Sequence, residues 1–301
     1  MSYTSGFPGA AGTATRRRLP SFRGAGPVLP AVVFVLLGMV APLALMLRTS
    51  FDRFDPQVLI VSAFTAENYI RFVSDPFFRD VLGRTVAISA VATAICLVLG
   101  LPVAYFLARF PSAEAKSRLL LLILVPLLIG NAVRTSAWML ILNDHGVLAA
   151  LLRGVGITGA LGLMYSATGV TIALVSVLLP FMIITLNSVF EGIERSLEDA
   201  AESLGAGHLT VMSRVVLPLA LPGILAGCVL CFTLSMNAYA TPVLIGGPKF
   251  HMMAPTVYQQ ITEAMNWPFG AALAFVLMGM TLLLTLGLSV AVQRRYRRWT
   301  A

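Results

Sequence analysis

The chain has 301 residues, of which 58% are hydrophobic and 11% charged, and its mean hydropathy is +0.87. A soluble domain of that length needs far more charge to cover its surface. The formal charge of +8 would suggest nucleic acid in a soluble protein. Here the basic residues sit at the ends of long apolar runs, where the positive-inside rule accounts for them and no nucleic-acid partner is implied.

Residues 1–27 are polar, rich in Gly, Pro and Ser, and hold Arg16, Arg17, Arg18 and Arg23. They read as a disordered basic cytoplasmic tail. The first apolar run, Val28–Leu47, is long for the core of a cleaved signal peptide and is read as a retained anchor, a first transmembrane helix at 28–48. Five more runs follow, about Thr85–Leu107, Leu119–Leu142, Thr168–Phe190, Leu219–Thr241 and Phe269–Val292. Each is long enough to cross a hydrocarbon core of ~30 Å as a helix, which defines a five-helix core at 84–293. Residues 294–301 close the chain as a second basic tail.

The expected fold class is therefore all-α, a polytopic membrane protein with about six transmembrane helices embedded in the lipid bilayer. With the N-terminus inside, 13 of the 21 Lys and Arg residues fall on the cytoplasmic side. That excess favours both termini in the cytoplasm, with external loops at 48–84, 143–167 and 242–268.

None of the 13 carboxylates falls within a predicted span. Ion-coupled carriers and pumps depend on intramembrane Asp or Glu, so an ion-coupled secondary transporter or channel is the alternative reading rather than the first. The three histidines lie in loops without an HExxH pattern, and no Gly-Lys pair exists to build a P-loop. The chain is not expected to be an enzyme, to hold a metal, or to bind ATP itself. Cys96, Cys228 and Cys231 lie inside apolar runs and read as small buried helix residues.

The loop 191–218 after the fourth span is the most informative segment. Ser196 with Asp199 fits a capping box that starts a helix at about Leu197. Leu197, Ala200, Ala201 and Leu204 form one apolar stripe, and Gly205 offers a left-handed stop. A second short helix over about Leu209–Leu217 is expected to lead to Pro218. The polar face is acidic, unlike helices that lie on anionic lipid, and the narrow alanine-rich stripe suits contact with another protein.

The pattern Asp199-Ala-Ala-x3-Gly205-x9-Val215-x-Leu217-Pro218 resembles the EAA motif of permease subunits from binding-protein-dependent ABC importers. Asp199 stands where the family has Glu, and Val215 where it has Ile. Asn131-Ala-Val-Arg134-Thr-Ser-Ala-Trp138 and Asn237-Ala-Tyr239-Ala-Thr241-Pro242 resemble segments of the spermidine/putrescine permease group. The resemblance implies a bacterial inner-membrane, multi-pass permease that takes up polyamines or a related small amine. It implies three kinds of partner: ABC ATPase subunits, a second permease subunit of similar fold, and an external substrate-binding protein. ATP and Mg would be bound by the ATPase.

The coupling role carried over falls on Asp199, Ala200, Ala201, Glu202, Gly205, Leu217 and Pro218. Asn131, Arg134 and Trp138 share one helical stripe and, with Asn237 and Tyr239, are candidates for the translocation path. Arg134 is the one charge well inside a predicted span. It can instead be structural, held by backbone carbonyls or by a carboxylate such as Asp144. Some members of the group have an acidic residue where Asn237 stands, and its absence here departs from a polycation-binding pattern.

Overall fold

A computed structural model describes residues 29–144, 146–154, 162–248 and 250–297. The tail read at 1–27, His145, Lys249 and the last residues of the C-terminal tail lie outside them. The chain divides into two units, Met1–Met46 and Leu47–Ala301. The described part of the first is most of α1, Leu29–Thr49, an apolar helix with Pro42 inside it. Its window Val32–Thr49 has a hydropathy of 2.2.

In the second unit the segment after α1 is structured rather than a plain loop. Strands β1 (Arg53–Asp55) and β2 (Leu59–Val61) pair antiparallel with Phe54 opposite Ile60. The Asp55 carboxylate accepts from Gln57 N at 2.8 Å and closes the turn. Helix α2 (Glu67–Ser74) follows. Its buried Asn68 donates to the carbonyls of Ser50 and Asp52, both at 2.9 Å.

Helix α3 runs Pro76–Ala108, 33 residues, or about 50 Å at 1.5 Å per residue. It starts nine residues before the apolar run because Asp75 caps it, accepting from Phe77 N at 2.9 Å, and Pro76 suits its first turn. Arg79, Asp80 and Arg84 thus sit on its N-terminal extension. The other long helices are α7 (Ala167–Glu191), α10 (Leu217–Met236) and α12 (Trp267–Arg297).

The expected single span Leu119–Leu142 is corrected. It is two helices, α4 (Ala113–Leu128) and α5 (Asn131–Leu142), bent by 94° where Ile129 and Gly130 are extended. Pro126 in the last turn of α4 cannot donate to the ladder, and Gly130 is a weak helix former. A short α6 (Val147–Gly154) follows. Among the described residues five helices are long and apolar enough to cross a membrane, or up to six if the bent pair counts as one.

The core lies where α3, α7 and α10 meet. Ala92, Cys96 and Ala104 of α3 pack against Leu178, Met182, Leu186 and Phe190 of α7 and Ala220 and Cys231 of α10. Small residues let the backbones approach. The thiols of Cys96 and Cys231 reach the α7 carbonyls of Val175 and Leu178, each at 3.7 Å. A second cluster, Phe72, Phe78, Phe269 and Leu273 among others, packs α2 and α3 against α12.

Gly223 sits where α10 crosses α7, and a Cβ there would lie 2.1 Å from Val189 Cγ2. We expect Gly223→Ala to destabilise the helix packing by about 2 kcal/mol. Gly83→Ala, which meets nothing within 4 Å, should change thermal stability in detergent little. Equal melting temperatures for the two variants would refute the close approach.

Candidate coupling helix and polar cavity

Helix α8 (Arg195–Ser203) occupies the loop singled out from sequence. The capping box is corrected. Glu194 is the N-cap and makes no side-chain cap bond, and Ser196 lies inside the helix with its hydroxyl on Glu194 Oε2 at 3.2 Å. The helix starts earlier because tertiary contacts position its entry. Arg109, just beyond α3, donates through Nη1 to Phe190 O at 3.0 Å and through Nη2 to Ile193 O at 3.1 Å. It also donates from Nε to Glu198 Oε1 at 2.8 Å and pairs with the same oxygen through Nη2. Tyr105 Oη donates to Glu198 Oε2 at 2.7 Å. Glu198 is only 8% exposed, so the one acidic residue of α8 that turns inward is fully partnered. A neighbouring tie joins α4 to α7, from Lys116 Nζ to Glu191 Oε1 at 2.5 Å, with Asn187 Nδ2 on the same oxygen at 2.6 Å.

The opposite face is open. Asp199, Ala200 and Glu202 are exposed, Ala201 is half-buried, and Leu197 and Leu204 are 45% and 89% exposed. The Gly205 stop is as expected, with φ of +85°. Gly205 N donates to Glu202 O at 2.8 Å and Ala206 N to Ala201 O at 3.1 Å, the paired bonds of a Schellman turn.

The second helix expected at about Leu209–Leu217 is present, starting at His208. Helix α9 (His208–Val211) passes through a π-helical turn, Met212–Val216, directly into α10. Leu217 N bonds to Met212 O, five residues back. The wider turn comes just before Pro218, whose ring would otherwise crowd the Arg214 carbonyl. Leu217 and Pro218 are half-buried at the start of α10.

A cavity of about 470 Å³ lies among α5, α7 and the end of α10. Asn131, Arg134, Asn237 and Tyr239 line it together, as does Thr241. Trp138, one turn beyond Arg134, packs against the core cluster instead, and Asn187 is taken by Glu191. Thr135 and Thr241 hydroxyls lie 3.4 Å apart and join α5 to the stretch after α10.

Arg134 donates from Nη2 to Ile129 O at 3.0 Å, so a backbone carbonyl at the helix break holds it in part. Asp144 is not its partner; that carboxylate accepts from Gly162 N at 3.4 Å. Nε and Nη1 of Arg134 are buried with no hydrogen-bond partner among the described residues. Desolvation, with Tyr258 and Glu263 nearby, raises the Tyr239 phenol above its ordinary value, so at neutral pH it is an uncharged hydrogen-bonding group.

Residues 97–298 match the family described as the binding-protein-dependent transport system inner membrane component. The chain belongs to that family. It is 33% identical over 272 residues to the spermidine/putrescine transport system permease protein PotB of Escherichia coli (strain K12), covering 90% of this chain and 96% of that one. It is 31% identical over 259 residues to PotB of Haemophilus influenzae, with coverages of 85% and 89%. Its fold is that of a chain in a bacterial alginate ABC transporter crystallised with its periplasmic protein, with a TM-score of 0.75 and 13% identity over 91% of this chain and 95% of that one. This ABC-importer permease is a multi-pass inner-membrane protein.

Sequence reasoning missed Tyr105, Arg109 and Glu198 as one unit. Arg109 follows one apolar run, and Glu198 lies in the loop after another. Their separation of 89 positions gives no local signal. Removing one member of this pair, with side chains 15% and 11% exposed, strands the other. We expect Arg109→Met to cost about 3 kcal/mol and to expose the loop to trypsin at Arg195. The double variant Arg109→Met/Glu198→Met should lose less than the sum of its singles. Strict additivity in the double-mutant cycle would show the contact to be inert.

Proposed function

We propose that this chain is the transmembrane, non-catalytic permease subunit of an ATP-driven importer for polyamines or a related small amine. The observation behind this reading is the exposed, acidic, alanine-faced helix α8, ended by a glycine at positive φ and tied to the spans through Glu198. A rigid docking element of that kind needs an engine, and the chain has no P-loop of its own. ATP and Mg would be held by separate ATPase subunits that grip Asp199, Ala200, Ala201, Glu202 and the Gly205 turn. Movement of α8 would pull on α3 and α7 together through Arg109. Leu217 and Pro218 would pass it to α10.

A second permease subunit of similar fold would complete the path along Asn131, Arg134, Asn237 and Tyr239. An external binding protein would deliver cargo to the outer loops, with both termini in the cytoplasm. The cargo class is read from likeness to PotB over nearly the whole chain.

The decisive experiment rebuilds the complex with candidate partner subunits in proteoliposomes and follows labelled putrescine and spermidine. Uptake should need both ATP and the binding protein; uptake driven by an ion gradient alone would instead establish the carrier alternative. Gly205→Val should leave membrane insertion intact while cutting uptake per ATP hydrolysed at least ten-fold, because a β-branched residue strains at φ of +85°. Normal coupling in that variant would sink the turn's assignment. Leu204→Glu, at a site 89% exposed, should leave monomer stability within about 0.5 kcal/mol yet lower co-purification of the ATPase. Undiminished co-purification would place docking elsewhere.

A further inference from the structure

The cavity that gathers four of the path residues has no carboxylate on its lining. An ammonium approaching it therefore needs a counter-charge from a neighbouring element. Helix α11 (Met253–Thr262) supplies one. Its residues Met253, Pro255 and Thr256 are buried, and Met253 N donates to Thr85 Oγ1 of α3 at 2.9 Å. The helix ends in a closed turn, where Ala264 N donates to Gln259 O at 3.0 Å and Asn266 N to Gln260 O at 2.8 Å. Glu263 is the C-cap residue held in that turn. A carboxylate there meets the negative end of the helix dipole, an unfavourable place for it. Glu263 is exposed, and its side chain has no ion pair or hydrogen bond among the described residues.

Two tyrosines complete the feature. The ring of Tyr258, on α11, meets that of Tyr239 with centroids 4.9 Å apart and planes at 55°. They are 48% and 40% exposed, so both keep ring surface open instead of packing it into the core. Tyr239 also lines the cavity, and the charge on Glu263 contributes to the rise of its phenol. Tilted rings and a free carboxylate suit an alkylammonium. The ring faces attract the cation, the phenol oxygens accept its N–H groups and the carboxylate neutralises it.

We propose that Tyr239, Tyr258 and Glu263 form an ammonium-binding site at the α11 edge of the cavity, taking one protonated amine of an alkyl diamine or longer polyamine. The rest of the chain is then free to enter the cavity that Tyr239 shares with Asn131 and Asn237. This deepens the importer reading above and rests on it.

The test uses the complete membrane complex in nanodiscs of zwitterionic lipid, without the binding protein. It is titrated with 1,4-diaminobutane and with 1,4-butanediol, the uncharged analogue. The diamine should bind and the diol should not. Glu263→Gln should weaken the diamine about five-fold and Tyr258→Leu about three-fold. Tyr258→Phe, which keeps the ring face, should stay within about two-fold of wild type. Diamine binding unchanged by Glu263→Gln or by Tyr258→Leu, a diol that binds as well as the diamine, or no diamine binding at all overturns the site. If Tyr258→Leu does not assemble, the nearly isosteric Glu263→Gln and the diol decide alone. ATP-driven uptake by the complete wild-type system separates the two readings. Uptake of the diamine, with binding unchanged in the variants, sinks the site and leaves the importer standing. Uptake of neither the diamine nor spermidine removes the amine reading and the site with it.

Discussion

One guanidinium holds the α8 end of this protein together. Arg109 sits at the end of α3, yet its donors go to the Phe190 carbonyl in the last turn of α7, to the Ile193 carbonyl at the entry to α8, and to the buried carboxylate of Glu198. Helix ends leave carbonyls with acceptor capacity to spare. A single planar group with five donors uses that capacity at two elements at once. Bonds to a charged donor contribute roughly 1.5–3 kcal/mol each, so the junction is firm enough to act as one body with α3. Because α3, α7 and α10 pack through small residues, with Met182 wedged against Gly100 and Gly227, displacement at α8 has a contiguous route into the spans.

The spans were legible because lipid imposes a blunt rule: about twenty apolar residues and a helix that satisfies its own backbone. Five predicted runs became single helices, lengthened where polar ends could be capped, as at Asp75. The Gly205 turn was equally legible, since positive φ is a local property that glycine signals. What failed was non-local or masked by hydropathy. The break at Ile129–Gly130 lies inside a run whose mean hydropathy stays high despite Asn131 and Arg134, so composition joined two helices that differ by 94°. Ser196 and Asp199 had the right local pattern for a capping box, but Arg109 sets where α8 begins. The same guanidinium was invisible as a partner of Glu198 because nothing near either residue points 89 positions away.

The break and the cavity are one feature. Irregular backbone among apolar helices is tolerated where it lines a cavity or is otherwise satisfied, and α4–α5 meets that condition by turning at Ile129, whose carbonyl Arg134 takes. The stretch after α10 is irregular in the same way, with a π-helical turn at Pro242–Gly246 and Gly247 at φ of +66°. The start of α5 and the residues leading into this stretch are joined by the Thr135 and Thr241 hydroxyls. Polar side chains collect there because regular helix elsewhere leaves no backbone group to answer them. Asn237 lines that cavity together with Arg134. The uncharged Asn237 amide and the Arg134 guanidinium, held by the carbonyl at the helix break, therefore belong to one polar surface, set by where the backbone stops being regular.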